Sequence, residues 1–242
     1  LRQGRKLSVV ALAKQNHGQA RMTLMANTRS MNYMGKMSAR GWQLGDWLPQ
    51  SGLHHFTAQA SVKGRGTDFL SDRSSLEAQL CIDSIGYENW NLGNMGLDAK
   101  LHEGYGQIQI NSGNELLDML ANAELRLRNR KLESSSFSMD LNSMDLYALH
   151  LAKDTMKASM KMHIEGSSDL RQTHALDAHA DHIMLSLKDT TFHPVELGAR
   201  LRLSPDSILA QASAGDLELS VRSPHGLDSL NIYAQRLLQE IH

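Results

Sequence analysis

The chain has 242 residues, of which 41% are apolar and 21% charged, and its formal net charge at pH 7 is -1. That balance provides no long-range field to attract nucleic acid or an anionic surface. Lys and Arg are scattered without polybasic runs, and an aromatic share of 5% is low for a protein that stacks bases. No segment approaches ~18 consecutive apolar residues, so no membrane-spanning helix is expected, and a single cysteine, Cys81, excludes an intrachain disulfide.

The opening, Leu1-Arg2-Gln3-Gly4-Arg5-Lys6, is not a signal peptide and lacks an initiator Met, so the sequence reads as a piece of a longer protein. From there the dominant pattern is alternation with a period of two, which sends successive side chains to opposite faces of a strand. Leu7, Val9, Ala11 and Ala13 begin it, and the turn His17-Gly18 precedes Ala20, Met22, Leu24 and Ala26. Phe56-Ala58-Ala60-Val62, Leu76-Ala78-Leu80-Ile82 and Leu97-Ala99-Leu101 follow, each set against polar partners. Later runs are Phe137-Met139-Leu141, Met156-Ala158-Met160-Met162, Leu176-Ala178-Ala180, Leu197-Ala199-Leu201-Leu203 and Leu217-Leu219-Val221. Turn clusters such as Gly64-Arg65-Gly66, His102-Glu103-Gly104, Asn111-Ser112-Gly113-Asn114 and Ser213-Ala214-Gly215-Asp216 separate the runs.

Three stretches depart from this pattern. Residues 143–149 are expected to form a short helical turn with Ser143 or Asp145 as N-cap. Residues 115–128 fit both periods and are read as strand, because their neighbours need a continuous partner. Leu230, Tyr233, Leu237 and Ile241 recur at helical spacing and read as a helix or a frayed tail.

Laid on itself at an offset of 100 residues, the chain matches without gaps from about residue 56 to 110. Ala58 falls on Ala158, Gly66 on Gly166 and Leu70 on Leu170, and the Leu76, Ala78, Leu97, Ala99 and Leu101 positions match Leu176, Ala178, Leu197, Ala199 and Leu201. The chain is therefore read as one continuous repeat array over 1–242, with units near 56–152 and 156–242. Two unrelated amphipathic stretches would also align when phased, and that alternative stays open.

An alternating strand must bury its apolar face. A closed sandwich does so against a second sheet ~10 Å away, usually with aromatic residues. Here the inward phase is rich in Ala and Met, and the 13 methionines supply either core filler or a deformable apolar lining. The expected fold is all-β: an elongated, curved antiparallel meander forming a taco-like β-groove from repeated units, with one or two short helices. A closed β-sandwich or solenoid that scaffolds partners through its edges, without lipid cargo, fits the same pattern.

The segments Gly66-Thr67-Asp68-Phe69, Leu76-Glu77-Ala78-Gln79-Leu80-Cys81-Ile82 and Asn94-Met95-Gly96-Leu97-Asp98-Ala99-Lys100-Leu101 resemble the TamB/AsmA-like family in its Bacteroidetes-type form. So do Met144-Asp145-Leu146-Tyr147-Ala148-Leu149 and Gly166-Ser167-Ser168-Asp169-Leu170, and the likeness spans about residues 55–222. The resemblance implies an internal fragment of a periplasmic β-groove from a Gram-negative bacterium, inner-membrane anchored in its full length. It implies phospholipid acyl chains as ligand, and an outer-membrane β-barrel partner contacted through parts of the protein not present here. The implied role is phospholipid transport between the two membranes, outer-membrane protein assembly, or both. No membrane anchor and no conserved C-terminal domain of that family is recognisable here. Carried over by position, the lipid-facing lining is Phe56, Ala58, Ala60, Val62, Leu76, Ala78, Leu80, Ile82, Leu97, Ala99, Leu101, Met156, Ala158, Met160, Met162, Leu176, Ala178, Leu197, Ala199 and Leu201. The ordinary alternative for each is a packed core position.

Motifs for catalysis are absent, and neither an enzyme activity nor a cofactor is expected. His174, Asp177, His179, Asp181 and His182 form the densest set of potential metal ligands, but they read as a solvated strand face. His54 and His55 point to opposite faces. Gly64-Arg65-Gly66 has no following Lys-Ser/Thr and reads as a turn. Cys81 has no His partner by motif. Trp42, Trp47 and Trp90 are too few and scattered for a polysaccharide platform. Open sheet ends would be free to associate end to end.

Overall fold

The structure, a computed structural model, describes residues 5–188 and 190–224. In chain order its strands are β1 (Lys6–Lys14), β2 (Gln19–Asn27), β3 (Asn32–Gln43), β4 (Leu53–Arg65), β5 (Ser75–Tyr87), β6 (Trp90–Leu92), β7 (Met95–His102) and β8 (Tyr105–Gly113). They continue as β9 (Leu117–Arg128), β10 (Lys131–Asp145), β11 (Met156–Ser168), β12 (His174–Leu187), β13 (Thr190–Phe192), β14 (Leu197–Ser204), β15 (Ser207–Ala214) and β16 (Leu217–Ser223). All belong to one open antiparallel meander, in which each long strand pairs with its neighbours in sequence, while β6 and β13 are spurs on β5 and β12. The sheet does not close on itself, a form consistent with a curved groove.

Turn chemistry explains the meander. Glu103-Gly104 joins β7 to β8 with φ of +51° and +76°, and Asn129-Arg130 joins β9 to β10 with +51° and +60°. Two left-handed residues in a two-residue turn match the right-handed twist of the flanking strands. At Gly104 a Cβ would lie 2.4 Å from the Leu127 carbonyl oxygen, so glycine is required twice over.

Among the described residues there is no helix. Residues 117–128 are strand because β8 and β10 supply ladder partners on both sides, partners that a helix would leave unpaired. The helical turn expected at 143–149 amounts to a single turn and not a helix: β10 runs on through Ser143 to Asp145, and the Leu149 N–H then bonds back to the Asp145 carbonyl at 3.1 Å. Asp145 then caps a tight turn, its Oδ1 accepting from the Ala148 N–H at 2.9 Å. Leu230, Tyr233, Leu237 and Ile241 lie outside the described residues.

The run β4, β5, β6, β7, β8 recurs as β11, β12, β13, β14, β15. Ala78 pairs with Ala99 and Leu76 with Leu101, as Ala178 does with Ala199 and Leu176 with Leu201. Gly66 and Gly166 are not equivalent, however. Gly66 turns the chain at φ +74°, while Gly166 lies within β11 opposite Leu176. Gly64, opposite Leu76, occupies the corresponding place.

No second sheet of described residues covers either face. The accessible surface is 17198 Å², against roughly 11,000 Å² for a compact monomer of this mass. The buried apolar side chains are few, and half are alanines: Ala39, Ala58, Ala121 and Ala158, with Leu116, Leu141, Ile183 and Ile208. The core is a shallow stripe along one face.

Candidate functional site

The register of the strands assembles that stripe. One cross-strand ladder runs through Ala11, Met22, Met37, Ala60, Leu80, Leu97, Ile110, Ala121, Met139, Met162, Ala180, Leu197, Ala214 and Leu217. A second, two residues away, runs through Val9, Leu24, Gly35, Val62, Ala78, Ala99, Ile108, Ala123, Phe137, Ile164, Ala178, Ala199, Ala212 and Leu219. Neither contains a polar side chain. At ~4.8 Å per strand the stripe is about 60 Å long.

All the lining residues expected from sequence fall on this face, but they divide by exposure. Ala58 and Ala158 are packed, at 0% and 5% exposure, whereas Leu176 and Leu197 stand open at 38% and 45%. Exposure rises toward the far edge, where Leu217, Leu219 and Val221 are mostly uncovered. Phe56 pairs with Trp42 and Met156 with Leu187, near bulges at which the register shifts. Sequence reasoning left out Ile108, Ile110, Ala121 and Ala123, which join the two halves of the stripe. Their signal was the same alternation, with Gln107 and Gln109 on the other phase. Tyr33 lies over Gly64, its cross-strand partner, and fills the space of the missing side chain.

The opposite face is polar. Lys63 and Glu77 pair at 2.8 Å, and Gln79 donates to Asp98 at 2.8 Å. A twisted sheet is hollowed on both faces, and a hollow of about 970 Å³ opens on this polar side among Arg21, Lys36, Gln59, Gln79, Asp98 and Asn111. Cys81 is exposed beside it. A hydrogen bond to Asp83, with a smaller effect of burial, pushes its thiol pKa up and keeps it protonated.

The His/Asp set on β12 is held by local pairs. Asp177 binds Arg200 at 2.8 Å and also Arg202, and these two guanidinium groups hold its carboxyl below the usual range. His182 contacts Asp181 at 2.7 Å, and the Ser168 hydroxyl meets His174 Nδ1 at 2.7 Å. Among the described residues no three His, Cys, Asp or Glu side chains converge as metal ligands. Trp42 and Trp47 are not scattered: their rings stack at 6.5 Å, with Trp47 largely exposed.

The chain matches no family model, no curated protein and no solved structure.

Proposed function

We propose that this chain is a hydrophobic β-groove segment of a Gram-negative periplasm that holds phospholipid acyl chains on its apolar face. It would contribute to moving phospholipid between the inner and outer membranes, to outer-membrane protein assembly, or to both. The observation that carries the reading is the pair of apolar ladders crossing every long strand, with no second layer of described residues above them. Acyl chains on that stripe leave water at a gain of roughly 25 cal/mol per Å², while headgroups stay solvated. No bond is made or broken. A barrel partner would meet other parts of the full protein, and the edge strands β1 and β16, each paired on one side only among the described residues, suit pairing with further strands.

The test is mass spectrometry of lipids extracted from the purified, detergent-free chain. Near-stoichiometric phospholipid, lost in a folded Ala78→Asp/Ala178→Asp variant, is the expected result. A lipid-free chain that folds cooperatively would overturn the proposal in favour of a scaffold without cargo.

A further inference from the structure

A meander sends alternate turns to opposite rims. One rim collects the turns after β2, β4, β7, β9, β11 and β14. Arg29, Arg65, Arg73, Arg128, Arg130 and Arg171 sit in those turns or at the strand ends that meet them. Arg21, Arg40, Arg126, Arg200, Arg202 and Arg222 lie within strands instead. The other rim carries Asp46, Glu88, Glu115, Asp154, Glu196 and Asp216 in its turns.

On the arginine rim three turns close on one another. Arg130 of the β9–β10 turn donates to Asp68 of the β4–β5 turn at 2.5 Å, reaching past the short β7–β8 hairpin. Beside them, against the β11–β12 turn, lie two adjoining clefts of 430 and 400 Å³ that share Asn129, Lys131 and Asp169. Arg128, Lys131 and Arg171 give them cationic walls, and Leu70, Leu132 and Leu170 give them apolar ones. Leu170 is 45% exposed and held at φ +59°, a left-handed conformation that a branched residue adopts only under constraint.

The carboxylates here are already engaged. Asp68 is on Arg130, and Glu133 is 3.6 Å from Arg128. Asp169 Oδ1 accepts the backbone N–H groups of Arg171, Gln172 and Thr173, each at 2.9 Å. Among the described residues Lys131 and Arg171 form no direct ion pair, although the charge of Lys131 helps to lower the pKa of Asp169. Leu127 and Leu132 pair across the hairpin on the same face as the ladders, so apolar surface runs from the stripe into the clefts.

We infer that these clefts receive the phosphate headgroup of an anionic lipid whose acyl chains lie on the apolar stripe, an assignment that rests on the acyl-chain reading above. Fixed cations beside leucines match a lipid better than free phosphate, which has no use for the apolar walls.

The test offers the 242-residue chain equal amounts of dioleoyl phosphatidylglycerol and dioleoyl phosphatidylcholine, which share their acyl chains, and quantifies bound lipid by mass spectrometry. The unaltered chain should favour phosphatidylglycerol roughly tenfold. A Lys131→Gln/Arg171→Gln variant, altered at two exposed positions, should have that preference reduced to within about twofold. Equal loading by the unaltered chain, or a preference kept by the variant, overturns the headgroup assignment and leaves the acyl-chain reading standing. Loading of neither lipid overturns both. Saturable binding of inorganic phosphate by the lipid-free chain, abolished in the variant, would assign the clefts to free phosphate instead.

Discussion

Aspartate placed at Ala58 and at Ala78 separates a packed stripe from an open one. Both alanines lie on the apolar face, but Ala58 is 0% exposed between Ala39 and Ile82. A carboxylate there loses its water and gains no partner, at a cost of about 4 kcal/mol. Ala78 is half-buried between Val62 and Ala99, with no layer of described residues above it. Water can follow a carboxylate at that site, and the cost falls to about 1 kcal/mol. For a chain of this length those figures translate into Tm losses of roughly 8–16 °C and 2–4 °C. Thermal unfolding of the delipidated variants, followed by far-ultraviolet circular dichroism, measures both. Equal losses would mean that the Ala78 region is covered, and the single-layer reasoning would fail.

Three further predictions concern packing and pH. A Cβ at Gly64 would meet the Tyr33 hydroxyl at 2.4 Å and the Ser75 carbonyl at 2.5 Å, so Gly64→Ala should cost about 2–3 kcal/mol in urea unfolding. The Tyr33 hydroxyl is buried without a hydrogen-bond partner, so Tyr33→Phe should be neutral or stabilise by up to about 1 kcal/mol. A clear loss of stability in that variant would show that the hydroxyl is bonded after all. Backbone donors from Thr173, Arg171 and Gln172 hold the Asp169 carboxyl down at about 2. A depressed carboxylate stabilises above its unfolded pKa of roughly 4, and that contribution drains away as pH falls toward 2. Tm measured from pH 5 to pH 2 should therefore fall less in Asp169→Asn than in the unaltered chain, and parallel curves would refute the linkage.

Strand identity was legible in the sequence because alternation is a local signal. Leu76-Ala78-Leu80-Ile82 reads as one face whatever lies beside it. The helical alternatives at 115–128 and 143–149 had to be settled by neighbours, since ladder hydrogen bonds from β8 and β10 decide the first and the extension of β10 decides the second. The match of Gly66 with Gly166 misled because a gapless alignment cannot register that the connection from Gly64 to Leu76 is two residues longer than that from Gly166 to Leu176.

By itself the sequence determined the class of the protein: all-β, with one apolar and one polar phase on nearly every strand. It also determined which residues of each unbulged run share the apolar phase, because side-chain direction in a regular strand follows from parity. Register was beyond it, since whether Ala78 meets Ala99 depends on turns and bulges that alternation does not encode. Only the tertiary structure decided that Ala58 is sealed while Leu197 stands open, because burial depends on what neighbouring strands place alongside. It also gathered the arginines. They are scattered along the chain and look like an ordinary solvated surface, but a meander folds every second turn onto the same rim, where Arg130 meets Asp68 and lines one cleft with Lys131 and Arg171.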